Sequence, residues 1–140
     1  MIVVSACLAG VECRYNGQAF PVPAIVEMVK RGQAIPICPE LLGNLPIPRP
    51  SGERRAGRIV SRDGEDVTAE YEYGAKTALS IVKLVNADKV ILKSKSPTCG
   101  CGQIYDGSFS GNLIPGDGIF VELLKENNIA VYNEDQLDEL

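Results

Sequence analysis

What most limits how this chain can fold is an alternation: short, β-branched apolar runs are separated by segments patterned as helices. Residues 2–6 are apolar, brief and bounded, and read as a buried first strand. Pro21 and Pro23 precede Ile25, Val26 and Val29, and Gly32 lies just beyond. Proline in the first turn and glycine past the end predict a helix of roughly residues 22–31. Ala34-Ile35-Pro36-Ile37-Cys38 is a second apolar run, weakened as a strand because Pro36 has no N–H for a ladder. Thr68 is placed to cap a long helix with Glu70 in its first turn. Tyr71, Ala75, Ala78, Leu79, Val82 and Val85 recur along one face of it at three- and four-residue steps, as core packing requires. Lys89–Lys93 predicts a third strand. Asp117 is placed to cap a helix with Phe120, Leu123 and Leu124 inward, and Ile129–Tyr132 predicts a fourth strand. Asn133 with Gln136 has the spacing of a capping box for a short final helix.

Between the second strand and the long helix, residues 39–66 are rich in proline, glycine and arginine. Within them, Arg58–Ser61 and Glu65–Val67 flank Asp63-Gly64, a hairpin signal. Strands alternating with helices call for a parallel sheet covered on both faces and joined by right-handed crossovers. The expectation is one α/β domain over residues 1–140: a Rossmann-like, three-layer α/β/α fold with an inserted Pro/Gly/Arg-rich loop or hairpin.

A chain of 140 residues suits one core. Its 14 basic and 18 acidic residues give a net charge of −4, which excludes a cationic nucleic-acid clamp built from the whole chain. A local basic strip exists at Arg49, Arg54, Arg55, Arg58 and Arg62, open between a solvated loop and an anion-binding arm that makes RNA a weaker alternative partner. No segment reaches the ~18 apolar residues of a membrane span. Met1 runs straight into the first strand without a basic leader or cleavage site, so a cytoplasmic protein is expected. There thiols stay reduced, and five cysteines point to metal binding, catalysis or burial before disulfides. The absence of histidine removes Ser-His-Asp and Cys-His catalysis and every imidazole zinc site.

Cys7 follows the first predicted strand, Cys38 ends the second, and Cys99 sits in the loop after the third. Parallel strands end on the same edge of a sheet, where open α/β folds bind ligands. Three cysteines remote in sequence are thereby expected to converge. Soft thiolates select Fe–S clusters, zinc or copper(I). Structural zinc usually takes paired Cys-x-x-Cys knuckles, and this chain has none. A cubane cluster is held by four thiolates; three leave one iron open to act as a Lewis acid. The competing account is that each thiol is simply packed and inert. Cys13 and Cys101 stay open between spare ligand, redox-sensitive thiol and filler. Glu40, two residues from Cys38, is either an acid/base group in a half-buried site or a surface or helix-end charge. Ser94–Gly100 is either a hydroxyl-bearing pocket wall or an ordinary turn. Ser5 and Asn16-Gly17 either line the pocket or make turns. The loop Tyr105–Gly111 is a candidate lid. No phosphate-loop pattern follows a strand.

Several ordered motifs carry a resemblance across nearly the whole chain: Ser5-Ala6-Cys7-Leu8-Ala9-Gly10, Arg14-Tyr15-Asn16-Gly17, Cys38-Pro39-Glu40-Leu41-Leu42-Gly43, Pro48-Arg49-Pro50, Leu92–Gly100 and Ile104–Gly111. Together they resemble the thiouracil desulfurase family. The resemblance implies a [4Fe–4S] cluster on Cys7, Cys38 and Cys99, with one open iron that takes the sulfur of a thiocarbonyl such as 2-thiouracil. It implies a non-redox conversion of C=S to C=O, with Glu40 as acid/base residue and Ser96 as helper. Members with an additional domain act on thiolated tRNA; this acidic chain is expected to take a thiolated pyrimidine base or nucleoside instead. The alternative from another class is a non-catalytic Fe–S or zinc protein that stores or delivers sulfur or metal, needing neither an open iron nor Glu40.

Overall fold

A computed structural model describes residues 1–140. Four short parallel strands build the central sheet: β1 (Ile2–Ser5), β2 (Ala34–Ile37), β5 (Lys89–Leu92) and β8 (Ala130–Asn133). Their order is β2-β1-β5-β8, with Ile2 paired to both Ala34 and Lys89, and Lys89 to Ala130. The period-two alternation of a strand separates its side chains between the faces. Val3, Val90 and Leu92 join one core with Ala75, Ala78 and Val82 of helix α3 (Thr68–Leu84) and with Phe120, Val121 and Leu124 of α4 (Ile119–Glu126). Val4, Ile91 and Ala34 join the other with Ile25 of α1 (Pro23–Lys30) and Leu8. The result is the expected three-layer α/β/α arrangement. Pro36 is tolerated because β2 is an edge strand, with a free side for a residue that cannot donate.

The insertion differs from its expected form in detail. Helix α2 (Pro39–Leu42) is a single turn directly after β2. The main hairpin pairs β3 (Gly52–Arg55) with β4 (Arg58–Ser61) around Ala56-Gly57, both at positive φ, and not Arg58–Ser61 with Glu65–Val67. The expected pairing survives only as one bridge, Val60 to Asp66. A turn with two positive φ values favours Asn-Gly or Asp-Gly, so Asp63-Gly64 outcompeted Ala56-Gly57 as a sequence signal. A second hairpin, β6 (Gln103–Tyr105) with β7 (Leu113–Pro115), stands where the sequence shows only glycine-rich loop.

Two expected caps take other roles. The Thr68 hydroxyl accepts the Ile59 N–H at 2.8 Å, tying α3 to β4, while the Asp66 carboxylate receives the Thr68 N–H at 3.0 Å. Asp117 accepts from the Gly102 N–H at 2.8 Å and pairs with Lys125, leaving Gly118 to precede α4. At the C-terminus, Gln136 accepts the Asn133 N–H at 2.9 Å, half of the capping box, before a 3₁₀ turn at Leu137–Glu139. No helix is long and apolar enough to cross a membrane.

Candidate functional site

From β1 the chain crosses to β2 on one side of the sheet; from β5 it crosses to β8 on the other. Opposite crossovers leave a crevice between the carboxyl ends of β1 and β5, the place where open α/β sheets bind ligands. A cavity of about 140 Å³ lies there. Ser5 ends β1 at its rim and Ala6 and Cys7 follow, Cys38, Pro39 and Glu40 follow β2, and Lys93, Ser94, Ser96, Pro97 and Cys99 follow β5. The Ser5 hydroxyl accepts the Lys93 N–H at 3.0 Å, joining the two strands where they part.

Cys7, Cys38 and Cys99 thus meet at one cavity, as the strand-end argument requires, and Cys13 joins them. Cys7 sits on the 3₁₀ turn Ala6–Ala9 that continues β1. Cys38 occupies the N-cap position of α2. Cys99 is buried in a turn whose N–H donates to the Ser96 hydroxyl oxygen at 2.6 Å. The Cys13 thiol meets those of both Cys38 and Cys7; the first contact draws its pKa down, the second and burial outweigh it, and it rests at about 11. Cys38 is pushed up by the same Cys13 contact and by burial. Burial pushes Cys99 up, against hydrogen bonds from Ser5 and Ser96. Thiols held this way are protonated at neutral pH, so metal binding must release protons. Cys101 lies outside the cavity, beside Lys125 and Asp117.

Glu40 stands in the first turn of α2, its side chain only 15% exposed, so it is no surface charge. Its Oε1 receives Arg49 Nη2 at 2.8 Å and Nε at 3.1 Å, and its Oε2 receives the Thr98 hydroxyl at 3.0 Å. Arg49 is the member of the arginine strip that sequence reasoning misplaced. Its side chain is 3% exposed, with Nη2 also donating to the Cys13 carbonyl and Nη1 to the Pro46 carbonyl. Tyr71 of α3 borders the pair; burial pushes its phenol up, and the Glu40 charge adds to this. The only local signal separating Arg49 from its neighbours is its position between Pro48 and Pro50. The other arginines are engaged elsewhere: Arg54 with Glu122, Arg55 with the Gly107 carbonyl, Arg58 with Asp66, and Arg62 over the Phe109 ring.

Ser96 lines the cavity, and its oxygen accepts from Thr98 and Cys99 N–H groups, leaving the hydroxyl proton free to donate. Asn16-Gly17 makes a turn, with Gly17 at positive φ and its N–H on the Arg14 carbonyl, and does not line the cavity. The expected lid does not close over the site either. Glu53 accepts the Gly107 and Phe109 N–H groups at 3.0 and 3.1 Å, pinning that loop to β3. Lys93, which lines the cavity, forms a largely buried ion pair at 3.0 Å with Glu134.

The donor set is all sulfur and spread around a cavity. Cys7 and Cys13 share one buried cluster with Cys38 packed against it, yet no three Cys, Asp or Glu side chains converge as ligands of one ion. Thiols around a cavity fit a polynuclear cluster better than a closed zinc site. Fold and site together define an α/β protein with a thiol-lined crevice at the switch point of a parallel sheet. A family model described as 2-thiouracil desulfurase matches residues 2–136. Among similar chains is the uncharacterised protein YbbK of Bacillus subtilis strain 168, 43% identical over 150 aligned positions, gaps included, that cover 100% of this chain and 99% of that one. Among solved structures, a [4Fe–4S]-dependent thiouracil desulfidase, TudS, matches with a TM-score of 0.94 and 42% identity over 99% of this chain and 93% of that one. The chain belongs to the 2-thiouracil desulfurase family.

Proposed function

We propose that this chain is an enzyme that replaces the sulfur of a small thiocarbonyl compound, a thiolated pyrimidine base or nucleoside, by oxygen from water. The reading rests on a [4Fe–4S] cluster held by Cys7, Cys38 and Cys99, with its fourth iron free of these three ligands. The observation that carries it is a single crevice where those three thiols and the Glu40 carboxylate line the same space. The family match and the likeness to a [4Fe–4S]-dependent desulfidase support it. Engagement of the arginine strip within the protein favours a small molecule over thiolated tRNA. Free thiols and such a cluster call for a reducing, cytoplasmic setting.

The bound cluster supplies Lewis-acid polarisation of the C=S bond and a place for the departing sulfur. The chain's own groups do the rest. Ile37, Pro39 and Pro97 offer apolar walls for a planar ring. Arg49 and Thr98 hold the Glu40 carboxylate in one orientation, with lone pairs left to take a proton from water. Ser96 turns its free hydroxyl proton toward the Cys99 sulfur or the substrate. One water enters, sulfide leaves, and no electron is transferred.

Anaerobic reconstitution with iron and sulfide, followed by 2-thiouracil, tests the reading. Loss of the thiocarbonyl absorbance with matching sulfide release is expected, abolished in Cys7→Ala, Cys38→Ala and Cys99→Ala together with iron retention. A protein that takes up no cluster refutes it. A stable cluster without turnover on any thiolated pyrimidine returns the non-catalytic carrier, the reading favoured by a fourth thiol, Cys13, in the crevice.

A further inference from the structure

Cys13 is not among the three ligands proposed above, yet it is 1% exposed and lies inside the same crevice. It shares one buried cluster with Cys7, and Cys38 packs against that cluster. Its backbone setting is different from theirs. Cys7 continues a strand, Cys38 caps a helix, and the Cys99 N–H is held by Ser96. Cys13 belongs to the stretch of residues 11–22, which forms neither helix nor strand. It is held by its N–H on the Val11 carbonyl at 2.8 Å and by Arg49 on its own carbonyl at 3.0 Å. A thiol on such a segment shifts at lower cost than one at a strand end.

We propose that Cys13 is a fourth, displaceable thiolate for the cluster, capping the remaining iron when no substrate is bound and yielding it to substrate sulfur. The inference rests on the cluster reading above. On capping, the Cys13 thiol gives up its proton and donates a sulfur lone pair; on release it takes a proton back. Neither step moves an electron, so no oxidant or reductant is required. Arg49 Nη2 holds both the Cys13 carbonyl and Glu40 Oε1, so the cap and the carboxylate are mechanically linked. Capping keeps water and oxygen from an exposed iron between turnovers.

The test compares reconstituted wild type with Cys13→Ser, which keeps the side-chain size, Cys13→Ala, and Cys101→Ser as a control outside the crevice. Three quantities are read: iron and sulfide content, hydrosulfide affinity from the change in the cluster's absorption and EPR spectra, and cluster lifetime in air. A cap in place about 90% of the time weakens apparent hydrosulfide binding about tenfold. Both Cys13 variants are therefore expected to hold as much iron as wild type, bind hydrosulfide about tenfold tighter and lose the cluster faster in air, while Cys101→Ser behaves as wild type. Equal affinity and lifetime in all four proteins overturns the proposal and leaves the cluster reading standing. Variants that assemble no cluster make Cys13 an obligatory ligand and overturn it too. So does a wild type that never binds hydrosulfide while the variants do, since that closure is permanent. A wild type without any cluster removes the underlying reading, and the cap with it.

Discussion

Burying the Arg49 guanidinium to 3% exposure takes a charge out of water, and four hydrogen bonds to Glu40, Cys13 and Pro46 replace its hydration. Removing one partner of such a pair leaves an uncompensated charge at a cost of about 3–5 kcal/mol. Glu40 keeps some contact with solvent, so the low end applies. Glu40→Gln is therefore expected to lower stability by about 3 kcal/mol in urea denaturation and turnover on 2-thiouracil by about 10²-fold or more. Full stability with lost activity would assign Glu40 a purely chemical role and contradict the burial argument. Ser96 plays two parts, since its oxygen orders the Cys99 turn while its proton is free. Ser96→Ala is expected to cost about 1 kcal/mol through the orphaned N–H groups and to weaken iron retention as well as rate. Unchanged iron content would confine Ser96 to the substrate.

Helices α2 and α3 meet at backbone distance, and this contact sets where Cys38 and Glu40 stand. A Cβ on Gly74, in the middle of α3, would lie 1.9 Å from the Pro39 carbonyl oxygen, and one on Gly43 2.2 Å from that of Glu70. Helix propensity alone favours alanine over glycine by about 1 kcal/mol. Overpacking reverses the sign, at a typical cost of about 1–3 kcal/mol. Gly74→Ala is thus expected to lower the melting temperature and, by pushing α2 outward, the iron content after reconstitution. A stabilised variant would show that the α2–α3 contact yields without loss. Gly118 does the same for the third ligand, its Cβ position lying 2.4 Å from the Thr98 backbone, so that α4 starts directly behind Cys99. Cys38 is thus backed by α3 and Cys99 by α4, so two remote segments hold their spacing.

For the molecule as a whole, Asp66, Asp106, Asp117 and Glu134 all titrate below their ordinary values. Hydrogen bonds from Thr68 and then Arg58 take Asp66 from 3.8 to about 2. A depressed folded-state pKa means that the unfolded chain binds its proton first as pH falls. The stabilisation is complete above about pH 4 and is lost as pH falls toward about 2. The urea midpoint is expected to drop across that window, with a shallower slope in Asp66→Asn; an unchanged slope would move the effect to the other carboxylates. Much of this architecture is legible along the chain. β-branched runs placed the four strands of the central sheet, the three- and four-residue steps placed α3 and α4, and the rule that parallel strands end on one edge gathered Cys7, Cys38 and Cys99. These are local patterns plus one topological rule, and they survive without knowledge of contacts. Strand order, and with it the crevice between β1 and β5, was not legible, because pairing joins residues as far apart as Ile2 and Lys89. Nor was the burial of Arg49 against Glu40, the inclusion of Cys13, the exclusion of Cys101, or the pinning of the Tyr105–Gly111 loop by Glu53. The sequence by itself determined the class of fold and the thiols at its edge; only tertiary packing decided which charges and which fourth thiol share their cavity, because contacts between distant segments carry no periodic signature in the chain.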